Sequence, residues 1–207
     1  HGRLRLHYVQ KPIGFEDYTI VRVGDALELT SDFDFTDRGG RVQLASTLRT
    51  TPDFTPLLFR AKGKSYRFVN VDSEITITGR DALVRADGIT QHVALPQTFF
   101  TVDGYAPFAA QMLLVRYWQQ HGRPRVLQTV PGMPTNDVLI EQRGRETMRV
   151  GEPMLTLARF AIDGVVCGRA TPCLHPSGAT AAPAAPPRAP RLSHATAAPY
   201  TQPPQLT

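Results

Sequence analysis

The sequence has little cysteine and no long apolar segment. Its 207 residues include only two cysteines, Cys167 and Cys173, and none precedes them. A disulfide between these two would close a small loop and would stabilise no core, so we assign them no role. No run of 18 or more apolar residues occurs, and we therefore expect no transmembrane helix.

A basic patch of the kind that binds nucleic acid is also missing. The formal charge of +5 includes three arginines beyond residue 166, so residues 1–166 carry 20 basic and 18 acidic side chains. We interpret the densest basic stretch as a solvated strand edge, because charged side chains there discourage aggregation. We expect no nucleic-acid partner. This stretch consists of Arg60, Lys62, Lys64 and Arg67.

The sequence lacks recognisable catalytic and metal-binding motifs. No two of its six histidines have the H-x-H or H-x-x-x-H spacing of zinc sites. It contains no G-x-S-x-G nucleophile motif, no P-loop and no G-x-G-x-x-G loop. The Asp32, Asp34 and Asp37 triplet resembles part of a calcium loop, but phenylalanines alternate with the first two, which favours a solvated strand face. We therefore predict no enzymatic activity, no metal and no cofactor.

Two carboxylate pairs are the remaining candidates for acid–base chemistry. Glu16 and Asp17 are adjacent, and Asp137 and Glu141 lie four residues apart. Paired carboxylates hydrolyse glycosides when they face each other across a cleft. Nothing in the sequence indicates a shared cleft for either pair, so neither is assigned a function.

Alternating apolar residues dominate the chain up to residue 166. In residues 27–35, leucine and phenylalanine occupy one face of a predicted strand, and acidic or hydroxyl side chains occupy the other. Turn residues recur along the chain, for example at 23–25, 143–145 and 163–164. A period of two with regular turns indicates an antiparallel meander that has one buried face.

One segment departs from this period. The pattern predicts a helix over residues 106–121, in which Pro107 suits the first turn. Gly122 suits the C-terminal cap, and Pro124 prevents the helix from continuing. The only charged residue of the segment is Arg116, so most of the helix surface must be covered. In a chain otherwise made of strands, the sheet has to provide that cover.

We therefore predict a mostly β (α+β) domain over residues 1–166, in which a curved antiparallel meander or half-barrel packs on one apolar central helix. The concave face of such a sheet can hold a hydrophobic pocket. The large apolar side chains predicted to face inward are candidates either for this pocket or simply for the core. They are Phe33, Phe35, Phe59, Phe68, Phe99, Phe100, Phe108, Met112 and Trp118.

Residues 167–207 differ in composition from the rest. They contain 9 of the 18 prolines, a single aromatic residue and no acidic residue. Such a segment cannot bury enough apolar surface to offset its chain entropy, so we predict a disordered Ala/Pro-rich tail. It is either a native linker or the product of a GC-rich gene read out of frame, and the abrupt change after Val166 favours the second interpretation.

Five short motifs carry a resemblance to a known class of proteins. They are Gly-Phe-Glu at 14–16, Thr-Asp-Arg-Gly-Gly at 36–40, Phe-Phe-Thr-Val-Asp-Gly-Tyr-Ala-Pro at 99–107, Arg-Tyr-Trp at 116–118 and His-Gly-Arg-Pro at 121–124. Together they resemble the β-rich region that precedes the metal-dependent barrel in some secreted bacterial amidohydrolases. The chain is also similar to periplasmic β half-barrels that fold like lipoprotein carriers. The resemblance covers residues 3–166.

The resemblance implies a non-catalytic accessory or interaction domain of a periplasmic or secreted protein, with a downstream hydrolase barrel as its partner. In such amidohydrolases the zinc ligands lie in the barrel, so no catalytic residue is transferred to this chain. The alternative is a free-standing periplasmic carrier or sensor of an apolar ligand, such as a lipid or a lipoprotein acyl chain. The chain begins at His1 rather than at methionine, so we expect further sequence upstream, where a signal peptide would lie.

Overall fold

A computed structural model of the chain shows, over the residues that it describes, a mostly β fold with one helix, which confirms the predicted fold class. The structure describes residues 1–8, 11–37, 39–64, 70–86, 88–102, 107–130, 136–149, 154–166, 168–170 and 173–174.

The first sheet is an antiparallel meander in which each strand pairs with the next along the chain. It follows the alternation of the sequence, because one face of each central strand carries the apolar side chains that become buried. Its eight strands are β1 (Gly2–Tyr8), β2 (Lys11–Val23), β3 (Ala26–Asp37), β4 (Gly40–Thr50), β5 (Pro56–Lys64), β6 (Asn70–Thr78), β7 (Asp81–Ala86) and β8 (Ile89–Ala94).

The second sheet contains a parallel pair, which the predicted meander did not include. Its strands β9 and β10 are parallel, and the helix α1 (Phe108–Gln120) connects them. Such a connection is the usual way to join parallel strands, because the chain must cross back before it can run in the same direction. The other strand pairs of this sheet are antiparallel. The strands are β9 (Phe99–Thr101), β10 (Leu127–Val130), β11 (Asn136–Arg149), β12 (Met154–Val166), β13 (Gly168–Ala170) and β14 (Cys173–Leu174).

The helix lies between the inner faces of both sheets. The helix side chains of Leu114 and Val115 are fully buried, in the same cluster as Phe59 of the first sheet and Phe160 of the second. Full burial of a side chain of this size contributes about 1.5–3 kcal/mol to folding. The predicted covering of the apolar helix by strands is thus confirmed, and the helix is the centre of the main core.

Two predicted turns are wrong. Residues 143–145 do not reverse the chain, because β11 passes through them with a bulge at Gly144, whose φ is 120°. Likewise, β12 continues past Gly164, where the backbone approaches Asp137 so closely that a Cβ atom would lie 2.2 Å from its carbonyl oxygen. Both glycines serve a local distortion of a long strand rather than a hairpin.

The outer face of the first sheet carries cross-strand ion pairs. Asp34 accepts two hydrogen bonds from the Arg41 guanidinium, at 3.0 and 2.6 Å. This pair agrees with the predicted solvated strand face, and Asp32 is likewise exposed, while the side chain of Asp37 lies outside the described part. The basic stretch was predicted to be a strand edge, which is wrong, because β5 pairs with β4 on one side and with β6 on the other. Its side chains are solvated on the outer face, where Arg60 pairs with Glu74 at 2.5 Å and Lys62 with Asp72 at 3.4 Å. Arg67 is outside the described residues.

The boundary predicted at residue 166 lies within the second sheet. Residues 168–170 and 173–174 form β13 and β14, which both pair with β12. The remainder of the predicted tail, residues 175–207, lies outside the described residues. Among the described residues, no helix combines the length and the apolar character that are needed to cross a membrane.

Gly14 allows β2 and β3 to approach closely, and we expect Gly14→Ala to destabilise the fold by about 3 kcal/mol. An added Cβ would lie 2.1 Å from the Asp34 carbonyl oxygen and 2.4 Å from the Phe35 Cα, both of which are backbone atoms. The free energy of unfolding, measured by urea denaturation, tests this expectation.

The matched control is Gly24→Ala. Gly24 has a φ of 60°, and nothing lies within 4 Å of an added Cβ. We therefore expect Gly24→Ala to lower the free energy of unfolding only by the cost of an alanine in the left-handed conformation, about 1 kcal/mol. Equal losses in the two variants would show that the close approach at Gly14 relaxes without cost.

Candidate functional site at the N-terminal end of the helix

The nine candidate pocket residues separate into two clusters. Most of the buried ones belong to the main core around α1, whereas three aromatic residues gather near the N-terminal end of the helix. Met112 is partly buried against the main core, and Phe68 lies outside the described residues. The main-core members are Phe59, Phe99, Phe100 and Trp118, and the three at the helix end are Phe33, Phe35 and Phe108.

We call the second group the end cluster. Its centre is Phe33, whose ring lies 4.8 Å from that of Phe35 and 6.3 Å from that of Phe108, measured between centroids. Phe33 is buried, while Phe35 and Phe108 are only partly buried. The other members are the buried Leu6, Val42 and Leu44 and the partly buried Ile13 and Val71. The end cluster therefore leaves part of its apolar surface accessible.

A buried carboxylate lies at this end of the helix. Glu16, on the inner face of β2, has no solvent-exposed surface. Its Oε2 accepts a hydrogen bond from the backbone N–H of Phe108 at 2.7 Å, and its Oε1 accepts one from Ala109 at 3.0 Å. The hydroxyl of Ser31 on β3 donates a third, to Oε1, at 2.7 Å. All three bonds are made within the protein.

The Glu16 carboxylate caps the N-terminus of α1. The N-cap position of α1 is occupied by Pro107, which makes no side-chain hydrogen bond to the first turn. The first N–H groups of a helix have no partner within the helix, and a negative charge there also interacts favourably with the helix dipole. Glu16 supplies both the hydrogen-bond acceptors and the negative charge, from a strand position 92 residues before Phe108.

Burial dominates the electrostatics of Glu16. It raises the pKa of Glu16 to about 7, and the hydrogen bonds from Ser31, Ala109 and Phe108 oppose that rise. The Ser31 hydroxyl can donate to an ionised carboxylate or accept from a protonated one, so both states have a partner. Burial raises the pKa of the neighbouring Tyr18, and the charge of Glu16 raises it further.

The predicted carboxylate pairs do not share a cleft. Asp17 lies on the outer face of β2, opposite to Glu16, and accepts hydrogen bonds from Arg3 at 2.5 and 2.6 Å. Asp137 and Glu141 are exposed on β11, and Glu141 pairs with Arg143 at 2.5 Å. Neither arrangement places two carboxylates on opposite sides of a bound substrate.

The other end of the helix is held by a second polar contact. The ring of His121 stacks on Tyr117 with centroids 3.8 Å apart, and its Nδ1 lies 2.9 Å from the Tyr117 carbonyl oxygen. Its Nε2 lies 3.4 Å from both Thr55 Oγ1 and Asp53 Oδ2, in the loop between β4 and β5. Thr55 itself bonds Asp53 at 3.1 Å, so every group of this set has a partner within the protein.

The described surface also contains an open groove of about 500 Å³ on the first sheet. Its charged lining includes Glu74, which is already paired with Arg60 at 2.5 Å and Arg85 at 3.2 Å. The groove lies beside the β7–β8 hairpin and is lined by Asn70, Asp72, Glu74, Arg85, Ala86, Gly88, Ile89 and Thr90. Over the described part of the chain, no three His, Cys, Asp or Glu side chains come close enough to hold a metal ion.

The structural use of Glu16 was not predicted from the sequence, although two signals for it exist. Glu16 is in phase with Tyr18 and Ile20, so the period of two places it on the inner face of β2. In addition, the helix begins after Pro107 with no Ser, Thr, Asp or Asn at the cap position. In a chain whose helix has no local cap, an inward-facing acid is a candidate partner for the first N–H groups of that helix.

Comparisons with protein-family models, with curated proteins and with solved structures found no match for this chain.

We expect Glu16→Gln to change how stability depends on pH. A pKa of about 7 in the folded state against 4.5 in the unfolded state means that the folded protein holds its proton more tightly. The stability contributed by protonated Glu16 is therefore complete below pH 4.5 and is lost as the pH rises through 7, by about 3 kcal/mol in total. Glutamine carries no charge to lose. Its single side-chain oxygen can accept from one of the two helix N–H groups, and the cost of leaving the other without this partner does not change with pH.

The measurement is urea denaturation of both proteins at several pH values between 4.5 and 8, since the other titrating groups cancel in the difference. Glu16→Gln should gain about 3 kcal/mol relative to the native protein across this range. A difference that stays constant, or that falls, would show that the helix N–H groups keep Glu16 ionised throughout.

Proposed function

We propose that this chain is a non-catalytic accessory or interaction domain of the kind that precedes the metal-dependent barrel of exported amidohydrolases. The observation that carries the proposal is the engagement of Glu16. A catalytic acid must contact its substrate. The Glu16 carboxylate has no exposed surface, and the three hydrogen bonds that it accepts come from the first turn of the helix and from Ser31.

The second polar set supports the same proposal. A nucleophile paired with a histidine base also requires a vacant position for the substrate beside both groups. Here Thr55 bonds Asp53, and the His121 ring is stacked on Tyr117 and bonded to its carbonyl oxygen. These contacts fasten the helix to the β4–β5 loop, which is a structural use of the side chains.

An accessory domain acts outside the cytoplasm in this proposal, as the resemblance implies, and its partner is the hydrolase barrel that follows it. Single exposed apolar side chains are normal on a folded domain, and they are the positions at which contact with such a partner can be tested. On the described surface they include Val21 and Val23 of β2, Leu139 of β11 and Met154 of β12, which are 45, 45, 46 and 59% exposed.

The proposal is tested by mixing this chain with the barrel of a secreted amidohydrolase that was produced without its own β-rich region. We expect a one-to-one complex by isothermal titration calorimetry, together with higher solubility of the barrel. The matched variant Leu139→Lys, Met154→Lys should bind more weakly and remain folded, because both side chains are exposed. A lack of binding at about 100 µM of each protein, which is weak even for a transient interface, would contradict the proposal.

The coding DNA provides a separate test. If a second reading frame beyond codon 166 continues the protein and leads into a barrel with an H-x-H motif, the domain normally acts fused to that barrel. A single intact frame from codon 167 to a genuine stop codon, with no barrel encoded before that stop, would instead favour the second candidate function below.

That second candidate is a carrier or sensor of an apolar ligand. The specific observation in its favour is the end cluster, where Phe35 and Phe108 are partly exposed beside the buried Phe33. The main core offers no such opening to a ligand at Phe59, Phe100 or Leu114, because these side chains have no exposed surface. A bound acyl chain would therefore contact the end cluster and not the centre of the half-barrel.

We expect a fluorescent fatty acid to bind this end cluster if the chain is a carrier, and Phe35→Ser to weaken binding at least fivefold, because a large apolar contact is removed. The matched control is Phe15→Ser, which removes a phenylalanine that is 37% exposed on the outer face of β2. Circular dichroism checks that both variants fold. Equal affinity of the two variants, or no binding by the native chain, would exclude a carrier function at this cluster.

A further inference from the structure

The two edges of the first sheet differ in how they are protected. An edge strand presents unpaired backbone N–H and C=O groups, and proteins usually block such edges with charges, prolines or bulges. The β1 edge carries Arg3 and Arg5, and its pairing with β2 shifts register between Leu6 and His7. The β1 edge is therefore blocked by two of these devices.

The β8 edge has none of them. β8 pairs with β7 over its whole length, from Ile89 to Ala94, and no described strand pairs with its other side. Its sequence, Ile-Thr-Gln-His-Val-Ala, contains no Lys, Arg, Asp, Glu or Pro, and its register with β7 is regular. Ile89 is 67% exposed, the largest exposure among the described large apolar side chains.

We propose that β8 is an interaction surface for a second copy of this chain, and that the two β8 strands pair antiparallel about a twofold axis at Gln91. Residues directly opposite each other in an antiparallel pair point to the same face. In this register Ile89 of one copy lies opposite Val93 of the other, and Thr90 lies opposite His92. The pairing joins two eight-stranded sheets into one continuous sheet.

The lack of charged side chains in β8 and the pairing of its apolar side chains favour a second copy of this chain as the partner of β8. Twofold pairing places each residue opposite a fixed partner in an identical strand, so a strand with one net charge would repel itself. A pair of β8 strands places no Lys, Arg, Asp or Glu opposite another charged residue, because β8 contains none of them. A pair of β1 strands would bring the arginines of the two copies together. The symmetry also creates two Ile–Val pairs on the inner face, and β-branched side chains that lie directly opposite each other stabilise an antiparallel pair.

The test is the mass of the whole chain in solution, measured by sedimentation velocity. We expect a dimer that dissociates on dilution. Gln91→Lys places two like charges opposite each other at the axis, and we expect it to weaken dimerisation at least tenfold. Gln91→Glu should do the same, and a one-to-one mixture of the two variants should restore the dimer, because the axis then holds a lysine opposite a glutamate.

Two further variants keep the test independent of folding. Thr90→Lys lies on the exposed face of β8 and should weaken the dimer, while Val21→Lys, on the exposed face of β2, should leave it unchanged. A native chain that stays monomeric at about 100 µM would overturn the proposal. So would a dimer that persists in Gln91→Lys, or a mixture of charge variants that does not associate.

Discussion

The hydrogen bonds from the first turn of α1 to the Glu16 carboxylate determine how the rest of the molecule is assembled. They attach the N-terminus of the helix to the second strand of the first sheet, while His121 attaches its C-terminus to the β4–β5 loop. Between these two points, Leu114 and Val115 are completely buried. Because both ends are fixed by specific polar contacts, the apolar middle of the helix can pack against both sheets in only one orientation.

The fold class was predictable because most of its determinants are local. The alternation of apolar and polar residues along 27–35 indicates which face of the strand is buried. The uncharged stretch around Leu113 indicates a helix whose surface must be buried by other elements. The parallel β9–β10 pair was not predictable in this way, since strands of three and four residues carry too little pattern to reveal a partner. Gly144 and Gly164 were misread because a glycine signals an unusual backbone conformation or a close approach but not whether the chain reverses.

The candidate site was only partly visible in the sequence. The phenylalanines could be recognised as inward-facing, but their division between the main core and the end cluster depends on where α1 begins and ends. Glu16 was grouped with Asp17 because the two are adjacent, although adjacent residues of a strand point to opposite faces. The structure makes Glu16 an internal helix cap and Asp17 a surface ion partner, so the two carboxylates do not face each other across a cleft.

The long sequence separation between Glu16 and α1 also imposes an order on folding. A chain emerges from the ribosome N-terminus first, so the residues of β2 are synthesised long before the helix whose N–H groups donate to Glu16. Neighbouring strands of the meander are close in sequence and have short loops to close, whereas the contact between Glu16 and Phe108 must close a loop of 92 residues. From this difference in loop length we expect the Glu16 carboxylate to remain hydrated while the first sheet forms and to lose its water when the completed helix docks.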